Sequence, residues 1–395
     1  SSMKKKIAYA LTALFLLALT IIVILYGKGY NFSFGNGKIG LLGTGLLAAT
    51  SQPDGAGIYI NNHLTSATNN TVSLSPGEYD VKIAKSGYFP WQKKIKIEKE
   101  VVSSAFALLI PTAPKLDNVT DTGVSNPVLD PTRTKIAYTV SSSEDPRKNG
   151  IYILDMGLRP ILTLQSSSTQ IADNTIDNFS QSLLSWSPDA KELVATISAG
   201  IDIQTTYLLK TDFNQNPQDV TATLESVNAS WSEQRQKQDK SQLFGFKAKL
   251  QNLIKENFKI LSWSEDETKI LYMASTSASL PLIINPPLIG TNPTPEERNI
   301  SKDAVYVYDI KEDRNFKIFD SMPQAPLSWF PDSKHLIFVS DKKINIMDYD
   351  SLNRTTVYAG PFIDNYVFAW PDGSKILVLT DLGNPTISPN LYTIG

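Results

Sequence analysis

Apolar and polar side chains alternate along the segment from Ala49 to Pro111. The runs GIYINN, TVSL, YDVKIAK and KKIKIE place apolar residues at every second position. A period of two directs one face of a strand into a core and the other into water. Turn-forming stretches, QPDGA and SPGEY, separate the runs. The pattern predicts a small, strand-only domain here.

The N-terminus has a different pattern. Lys4, Lys5 and Lys6 precede twenty uncharged residues, Ile7–Tyr26, enough to cross a bilayer at about 1.5 Å per residue. We expect residues 1–28 to form a cytoplasmic basic tip and a transmembrane anchor, with the bilayer around residues 7–26, because basic residues favour the inner face. A cleaved signal peptide is the alternative, but no small-x-small cleavage site follows closely. Single-pass insertion would place the bulk of the chain outside the cytoplasm.

The segment 49–111 resembles the PEGA domain, a small extracytoplasmic β-sandwich. The resemblance rests on a turn in which Asp54 replaces the family's Glu, a Tyr-containing strand and a second Gly-Tyr turn; the matching residues are Pro53, Asp54, Gly55, Ala56, Gly77, Tyr79, Gly87 and Tyr88. It implies a spacer or interaction module of the cell envelope. Residues 29–48 are predicted to be a linker. The aromatic residues Tyr79, Tyr88, Phe89 and Trp91 could form a binding patch, although core packing of a small sandwich is the preferred interpretation.

Beyond Pro111 one short pattern recurs. Five segments share a strand end, a tight turn and a second, β-branched strand: VLDPTRTKIAYTV, LSWSPDAKELVATIS, LSWSEDETKILYMAS, LSWFPDSKHLIFVSD and FAWPDGSKILVLTD. Third strands follow in most copies. Units of three or four strands are typical of propeller blades, which bury their faces only against neighbouring blades. The residues expected to build the repeat are Pro131, Trp186, Pro188, Asp189, Trp263, Asp266, Trp329, Pro331, Asp332, Trp370, Pro371 and Asp372.

The repeats resemble TolB-type (WD-like) β-propellers, in which SPDGKxIAF is followed by a strand of the form xIYxxD. The resemblance covers residues 114–395 and implies a periplasmic or extracellular interaction platform. We predict an all-β fold with an N-terminal transmembrane helix, a sandwich and a propeller of five blades. The last blade would be closed by pairing Leu116–Thr120 with Leu391–Ile394. Six blades are the alternative, with a degenerate unit within residues 166–181 or 221–258.

Three insertions interrupt the repeats. The first, after ILTLQ, is polar and predicted to be a loop. The second, residues 231–258, is charged, has Leu243, Phe246, Leu250, Leu253 and Ile254 at helical spacing, and is predicted to pack on the outside of the ring rather than to dock a partner. The third, residues 275–303, contains LPLIINPPLIG and either covers the ring or binds another molecule.

Composition limits the chemistry. The chain has no cysteine, which excludes disulfides and thiolate sites. The formal net charge of −2 becomes −5 without the three lysines, so no nucleic-acid partner is expected. No G-x-S-x-G motif occurs, and the two histidines, His63 and His335, are not beside a matched Ser and Asp. Asp-rich turns lack the calcium-loop pattern.

We therefore predict no catalytic residue, cofactor or metal site. The expected function is that of a membrane-anchored, extracytoplasmic scaffold of a bacterial cell envelope, with a propeller that binds an envelope protein or a glycan. The alternative is a hydrolase or lyase that uses the propeller channel, for which few titratable groups are available.

Overall fold

The structure is a computed structural model that describes residues 2–28, 30–35, 38–157 and 168–395. The chain forms two compact units. The first comprises Ser1–Thr112, Leu282–Glu297 and Lys311–Arg314; the second comprises Ala113–Pro281, Arg298–Ile310 and Asn315–Gly395. The start of the first predicted insertion, with part of the region considered for a sixth blade, lies outside the described residues.

The first unit begins with helix α1, Ser2–Gly27. Its segment Met3–Gly27 is long and apolar enough to cross a membrane, and none of its most apolar window is buried by the protein. A signal sequence would meet the same criterion. A hairpin follows, formed by β1 (Tyr30–Gly35) and β2 (Lys38–Gly43). The predicted linker at residues 29–48 therefore contains this hairpin and the first residues of the next strand, β3 (Gly45–Gln52).

Two sheets then pack face to face. Their strands are β3 Gly45–Gln52, β4 Gly57–Ile60, β5 His63–Ala67, β6 Asn70–Leu74, β7 Gly77–Ala84, β8 Trp91–Ile97 and β9 Val102–Leu108. One sheet has the order β6-β3-β9, with β3 and β9 parallel, and the other has the order β5-β4-β7-β8. The alternating apolar residues of both sheets meet in one core that includes Leu47, Ile58, Ile83 and Trp91. The predicted sandwich is present and begins at Gly45, four residues before its predicted start.

The second unit is built from short strands. The first eleven are β10 Leu116–Asn118, β11 Ser125–Leu129, β12 Lys135–Val140, β13 Gly150–Asp155, β14 Ser168–Asp173, β15 Leu183–Trp186, β16 Glu192–Ser198, β17 Gln204–Lys210, β18 Gln218–Asp219, β19 Phe258–Trp263 and β20 Lys269–Ala274. The others are β21 Ala278–Ser279, β22 Asn299–Ile300, β23 Val305–Asp309, β24 Arg314–Phe319, β25 Leu327–Trp329, β26 His335–Ser340, β27 Lys343–Asp348, β28 Thr355–Tyr358, β29 Val367–Ala369, β30 Ile376–Thr380 and β31 Asn390–Ile394.

Within the described residues twenty of these strands form five four-stranded sheets, and β21 pairs with β22 in a separate two-stranded sheet. The orders of the five sheets are β11-β12-β13-β14, β15-β16-β17-β18, β19-β20-β23-β24, β25-β26-β27-β28 and β10-β31-β30-β29. We call them sheets 1 to 5. Shared apolar clusters join sheet 1 to sheet 2, sheet 5 to sheet 1, and sheet 3 to sheet 4. Consecutive sheets packed in this way form a β-propeller. The total number of blades stays a prediction.

The two ends of the second unit meet in sheet 5. β10 runs antiparallel to β31, with Leu116 opposite Ile394, Asp117 opposite Thr393 and Asn118 opposite Tyr392. This is the pairing that the sequence predicts. Polar contacts extend it, because Asn390 Oδ1 accepts hydrogen bonds from the Thr120 hydroxyl at 3.0 Å and from the Gly123 N–H at 2.9 Å. An exposed sheet edge is thereby removed.

The helical insertion differs from its prediction in extent and position. It contains α2 (Leu224–Phe244) and α3 (Ala248–Asn257), so helix begins seven residues before Trp231. In α3, Leu250, Leu253 and Ile254 are buried. In α2, the Gln238 amide donates to the Pro188 carbonyl at 3.5 Å, and that of Gln242 donates to Glu267 at 3.2 Å. α2 therefore contacts turns of sheets 2 and 3 at the ends of their strands, rather than the outside of the ring.

The Pro-rich insertion leaves the second unit between β21 and β22. Its residues 282–297 belong to the first unit, where Asp313 Oδ2 accepts hydrogen bonds from the backbone N–H groups of Ile283 and Ile284. Gly290 has φ of +71°, and a Cβ there would lie 2.4 Å from the Val101 side chain. The loop is thus packed against the sandwich strands of its own unit.

Candidate functional site

The recurring sequence pattern forms one six-residue hairpin turn in each sheet, and these turns join β11 to β12, β15 to β16, β19 to β20, β25 to β26 and β29 to β30. The turns are Asp130–Lys135, Ser187–Glu192, Ser264–Lys269, Phe330–His335 and Trp370–Lys375, and in each the first residue's N–H donates to the carbonyl of the sixth. The fourth residue has positive φ, at Arg133, Ala190, Glu267, Ser333 and Gly373. This geometry fits a turn that ends in a left-handed residue.

Short polar side chains hold the turns closed. The Ser187 hydroxyl accepts the N–H groups of Lys191 and Glu192, and that of Ser264 accepts the N–H of Lys269. In sheet 1, Asp130 takes the place of serine and accepts from Thr134 and Lys135, both at 2.8 Å. The Ser-Pro-Asp pattern is therefore explained by the backbone donors that each turn must satisfy.

The tryptophans join neighbouring sheets. Trp186 precedes the turn of sheet 2, and its indole N–H donates to the Val128 carbonyl of sheet 1 at 3.0 Å. Trp329 repeats this geometry from sheet 4 to the Ser262 carbonyl of sheet 3, at 3.4 Å. Both indoles are buried. The two acceptors hold the same position, two residues before the next turn, so the contact is part of the repeat.

Trp370 does not repeat this role. It is the first residue of its turn, because its own N–H donates to the Lys375 carbonyl, and Ala369 occupies the position equivalent to Trp186. The Lys375 ammonium lies 4.7 Å from the centre of the Trp370 ring. The alignment of FAWPD with LSWSPD by tryptophan is therefore shifted by one residue from the structural alignment.

The motif residues of the sandwich also serve its turns and core. Gly55 and Gly87 have positive φ, and Ala56 is fully buried in the core. The Lys85 ammonium donates to the Asp54 carbonyl at 2.6 Å, and the Tyr79 hydroxyl donates to the Ser75 carbonyl at 2.8 Å. Trp91 lies in the core with Tyr79 and Tyr88 packed against it, whereas Phe89 is exposed. The four aromatics do not form one exposed patch.

A cavity of about 240 Å³ is lined by residues of β11, β25 and β29, by the turns that follow these strands and by the turn of sheet 3. We call it the turn cavity. Its walls are mainly apolar, and its charged lining residues are Arg133 and Glu265; the others include Leu129, Pro326, Trp329, Pro331, Val367, Phe368 and Pro371. Trp329, Pro331 and Pro371 were singled out in the sequence as repeat residues, whereas Arg133 and Glu265 were not. Only the fold brings these two turns together.

Arg133 is the most unusual group in the turn cavity. Its Nη2 donates to the Trp263 carbonyl at 3.3 Å, while Nη1 is buried and has no hydrogen-bond partner. Burial lowers the pKa of the guanidinium, and the charge of Glu265 opposes that shift. Arginine remains protonated under all ordinary conditions, so the cavity contains a positive charge with unused donor capacity.

His335 is buried between two carboxylates, a pairing that the sequence did not reveal. Its Nδ1 lies 2.6 Å from Asp332 Oδ2, and its Nε2 lies 3.1 Å from Asp348 Oδ1. Burial lowers the pKa of the imidazole, but the hydrogen bonds and charges of Asp332 and Asp348 outweigh it and raise this pKa to about 9. Asp332 was within three residues of His335 in the sequence, while Asp348 comes from the adjacent strand. The imidazolium here links β26 to β27.

Within the described part of the chain, no group of three or more His, Asp or Glu side chains is arranged to hold a metal ion. His335 is almost completely buried and does not line the turn cavity. The charged side chains that line the turn cavity are Arg133 and Glu265, whose charges are of opposite sign.

Comparison with known proteins gives one family match. Residues 44–111 match the PEGA domain family, which includes the sandwich and its motif residues. A search of curated protein sequences found no match. The family match covers the first unit's sandwich and does not extend to the propeller.

Solved structures similar to this chain include propeller proteins. A protein described as TolB from Agrobacterium tumefaciens is 12% identical, with 69% of this chain and 79% of that chain covered and a TM-score of 0.23. TolB from Acinetobacter baumannii is 14% identical, with 80% and 60% covered and a TM-score of 0.24. The β-propeller domain of the Trilobed protease from Pyrococcus furiosus is 12% identical, with 89% and 95% covered and a TM-score of 0.23. The propeller assignment rests on the strand order and packing of this chain.

Proposed function

We propose that the chain is a membrane-anchored, extracytoplasmic binding protein of a bacterial cell envelope. In this proposal α1 stays in the bilayer, the PEGA-like sandwich acts as a spacer, and the propeller binds a partner. The observation that carries the proposal is the turn cavity. It is an apolar recess with two opposite charges, the combination expected of a site that recognises a ligand through a few polar contacts.

A protein partner fits the turn cavity better than a glycan. Its walls contain Trp329, Phe368 and three prolines, and these suit apolar side chains. Polar groups able to follow a row of sugar hydroxyls are few there: Thr132, Thr134, Ser328 and Asn365. We propose that the repeat residues named above have a structural role around this site, since they close turns and join sheets.

The charged groups at the turn cavity support a binding role over that of a channel hydrolase or lyase. Those reactions use a general base held close to a nucleophile or an acid. At the turn cavity the charged groups are a guanidinium and one exposed carboxylate. The imidazole of His335 is engaged on both nitrogens by carboxylates.

The partner-binding role is tested by photo-crosslinking in living cells. A photoreactive amino acid is placed at Thr132, which lines the turn cavity, or at Ile201, which is 95% exposed in the β16–β17 connection at the opposite end of the strands. A discrete adduct from position 132 and none from position 201 supports the proposal. Equal adducts from both positions, or none from 132 at full expression, would contradict it.

Orientation has its own test, because the chain lacks cysteine. A single Ile201→Cys substitution is labelled in intact spheroplasts with a membrane-impermeant maleimide, and a single Ser2→Cys substitution, at the first residue of α1, serves as the control. We expect label at position 201 only. Labelling at position 2 alone would show that the orientation is the reverse of the proposed one. Release of the labelled chain from washed membranes would favour a cleaved signal peptide.

A further inference from the structure

The shape and charges of the turn cavity define the chemical class of ligand that it can bind. This inference about the ligand rests on the proposed binding function. Its walls are built from Trp329, Val367, Phe368 and Pro371. Arg133 supplies the positive charge among them. A ligand that fills this space must offer an apolar group to the walls and an anionic acceptor to the guanidinium.

The guanidinium itself indicates the acceptor. Nη2 already binds the Trp263 carbonyl, so the side chain is held at the cavity wall, but Nη1 is buried without a partner. A buried donor without an acceptor is costly, and hydrogen bonds between charged groups are among the strongest in proteins. A carboxylate matches the planar fork of arginine better than any neutral acceptor.

Cavity volume favours a chain terminus over a loop. A cavity of about 150 Å³ holds a benzene-sized group, so the 240 Å³ of the turn cavity leaves room for one apolar side chain and the carboxylate next to it. A loop would have to enter and leave, which needs space for two passages of backbone. A free C-terminus needs only one, and its carboxylate lies beside its last side chain.

We propose that the turn cavity binds the free C-terminal carboxylate of a protein or peptide whose last residue is apolar, with Arg133 as the anion contact. Glu265 lines the same cavity and is exposed. Its negative charge opposes an incoming carboxylate, so it limits affinity and disfavours strongly acidic tails. Specificity then comes from the combination of one terminal carboxylate and one apolar side chain.

The experiment uses the full chain in detergent micelles and three capped peptides. They are acetyl-Gly-Ala-Phe with a free carboxylate, the same peptide as its C-terminal amide, and acetyl-Ala-Asp-Phe amide, which carries its carboxylate on a side chain. Binding is measured by saturation-transfer NMR at low salt, with Trp fluorescence as a second readout. We expect the free-carboxylate peptide to bind at least tenfold more tightly than either amide.

Substitutions in the full chain test whether Arg133 is the contact for the carboxylate. Arg133→Gln should weaken the free-carboxylate peptide about tenfold or more and leave the amide unchanged, while Arg133→Lys should give an intermediate loss because it keeps the charge without the fork. Glu265→Gln should strengthen binding about threefold. Arg147→Gln is the matched control, since Arg147 is an exposed arginine outside the cavity.

The possible results separate the inference from the proposed function. Equal binding of acid and amide, or binding unaffected by both Arg133 substitutions, overturns the carboxylate assignment, and tighter binding of the Asp-containing amide overturns the choice of a terminus. If Arg133→Gln does not fold, the Glu265→Gln variant and the comparison of the free-carboxylate peptide with its C-terminal amide still test the carboxylate assignment. Crosslinking from position 132 in the absence of any peptide preference would leave the binding function standing and reject this ligand.

Discussion

The indole of Trp186 and the carbonyl of Val128 are 3.0 Å apart and join two sheets of the propeller. The donor precedes the turn of one sheet, and the acceptor lies two residues before the turn of the previous sheet. The same relation holds between Trp329 and Ser262. In these two copies the tryptophan supplies both a large apolar side chain and a directed hydrogen bond to the preceding sheet, which explains why the Trp-turn-strand pattern recurs.

Replacing Trp186 by Phe should lower the free energy of unfolding by about 1–3 kcal/mol, because the Val128 carbonyl loses its indole donor. Trp329→Phe removes the same atoms from a contact of 3.4 Å, which is longer than a normal N–H···O bond, so its loss should be smaller. Urea unfolding followed by near-UV circular dichroism measures both. Equal losses would mean that lost volume, and not the hydrogen bond, dominates.

Closure of sheet 5 can be tested by a disulfide in this cysteine-free chain. Asn118 and Tyr392 face each other across β10 and β31, so Asn118→Cys combined with Tyr392→Cys should oxidise readily. The control pair, Asn118→Cys with Ile394→Cys, is two residues out of register and should oxidise more slowly. Thiol titration and non-reducing electrophoresis report the outcome. Comparable rates for both pairs would show that this register is not fixed.

The buried His335 should make stability depend on pH. The imidazole has a pKa of about 9 in the folded protein and an ordinary value of 6.5, so the folded state binds its proton more tightly. The resulting stability, on the order of 3 kcal/mol, is fully present below pH 6.5 and is lost as pH rises through about 9. Urea unfolding at pH 6.5, 8 and 9.5 would measure the loss.

Two variants assign this pH dependence. His335→Gln cannot ionise and leaves Asp332 and Asp348 without their cation, so it should cost about 3–5 kcal/mol near neutral pH and flatten the profile up to pH 9.5. His63→Gln, at the exposed histidine of the sandwich, should retain the wild-type profile. A profile that stays steep without His335 would assign the effect to other groups.

The two inserted helices should differ in their contribution to stability. Leu253 in α3 is 3% exposed, whereas Phe244 at the end of α2 is 87% exposed. Leu253→Ala should therefore lower the unfolding free energy by about 2–5 kcal/mol, and Phe244→Ser should change it by less than about 0.5 kcal/mol. Thermal unfolding of the two single variants compares them. A large loss from Phe244→Ser would indicate a contact that the exposed ring does not show.

Local patterns predicted much of this fold. Period-two alternation marked the sandwich strands, and the recurring turn residues marked one hairpin in each of the five sheets, because turn geometry depends on a few neighbouring residues. The pairing of β10 with β31 followed from counting strands. Trp370 shows where sequence patterns are insufficient. The sequence around it matches the other copies of the repeat, but its backbone hydrogen bonds place it one residue later, as the first residue of the turn.

The candidate site was less predictable, since its parts are distant in sequence. Arg133 and Glu265 belong to turns of different sheets. In its own turn sequence, each has the pattern of an ordinary solvated turn residue. Asp348 reaches His335 only because β26 and β27 pair with this register. The position of α2 over two turns was also missed, as an amphipathic pattern predicts a buried face without identifying what buries it.

The closing strand pair also sets the order in which this protein can mature. β10 is synthesised near the beginning of the second unit, but its partner β31 is synthesised after every other strand of that unit, so sheet 5 cannot be completed until the whole unit has been made. Until then β10 and β30 each have an unpaired edge, which is prone to join other chains. The last strand to be synthesised in this unit therefore decides whether the nearly finished propeller closes or aggregates.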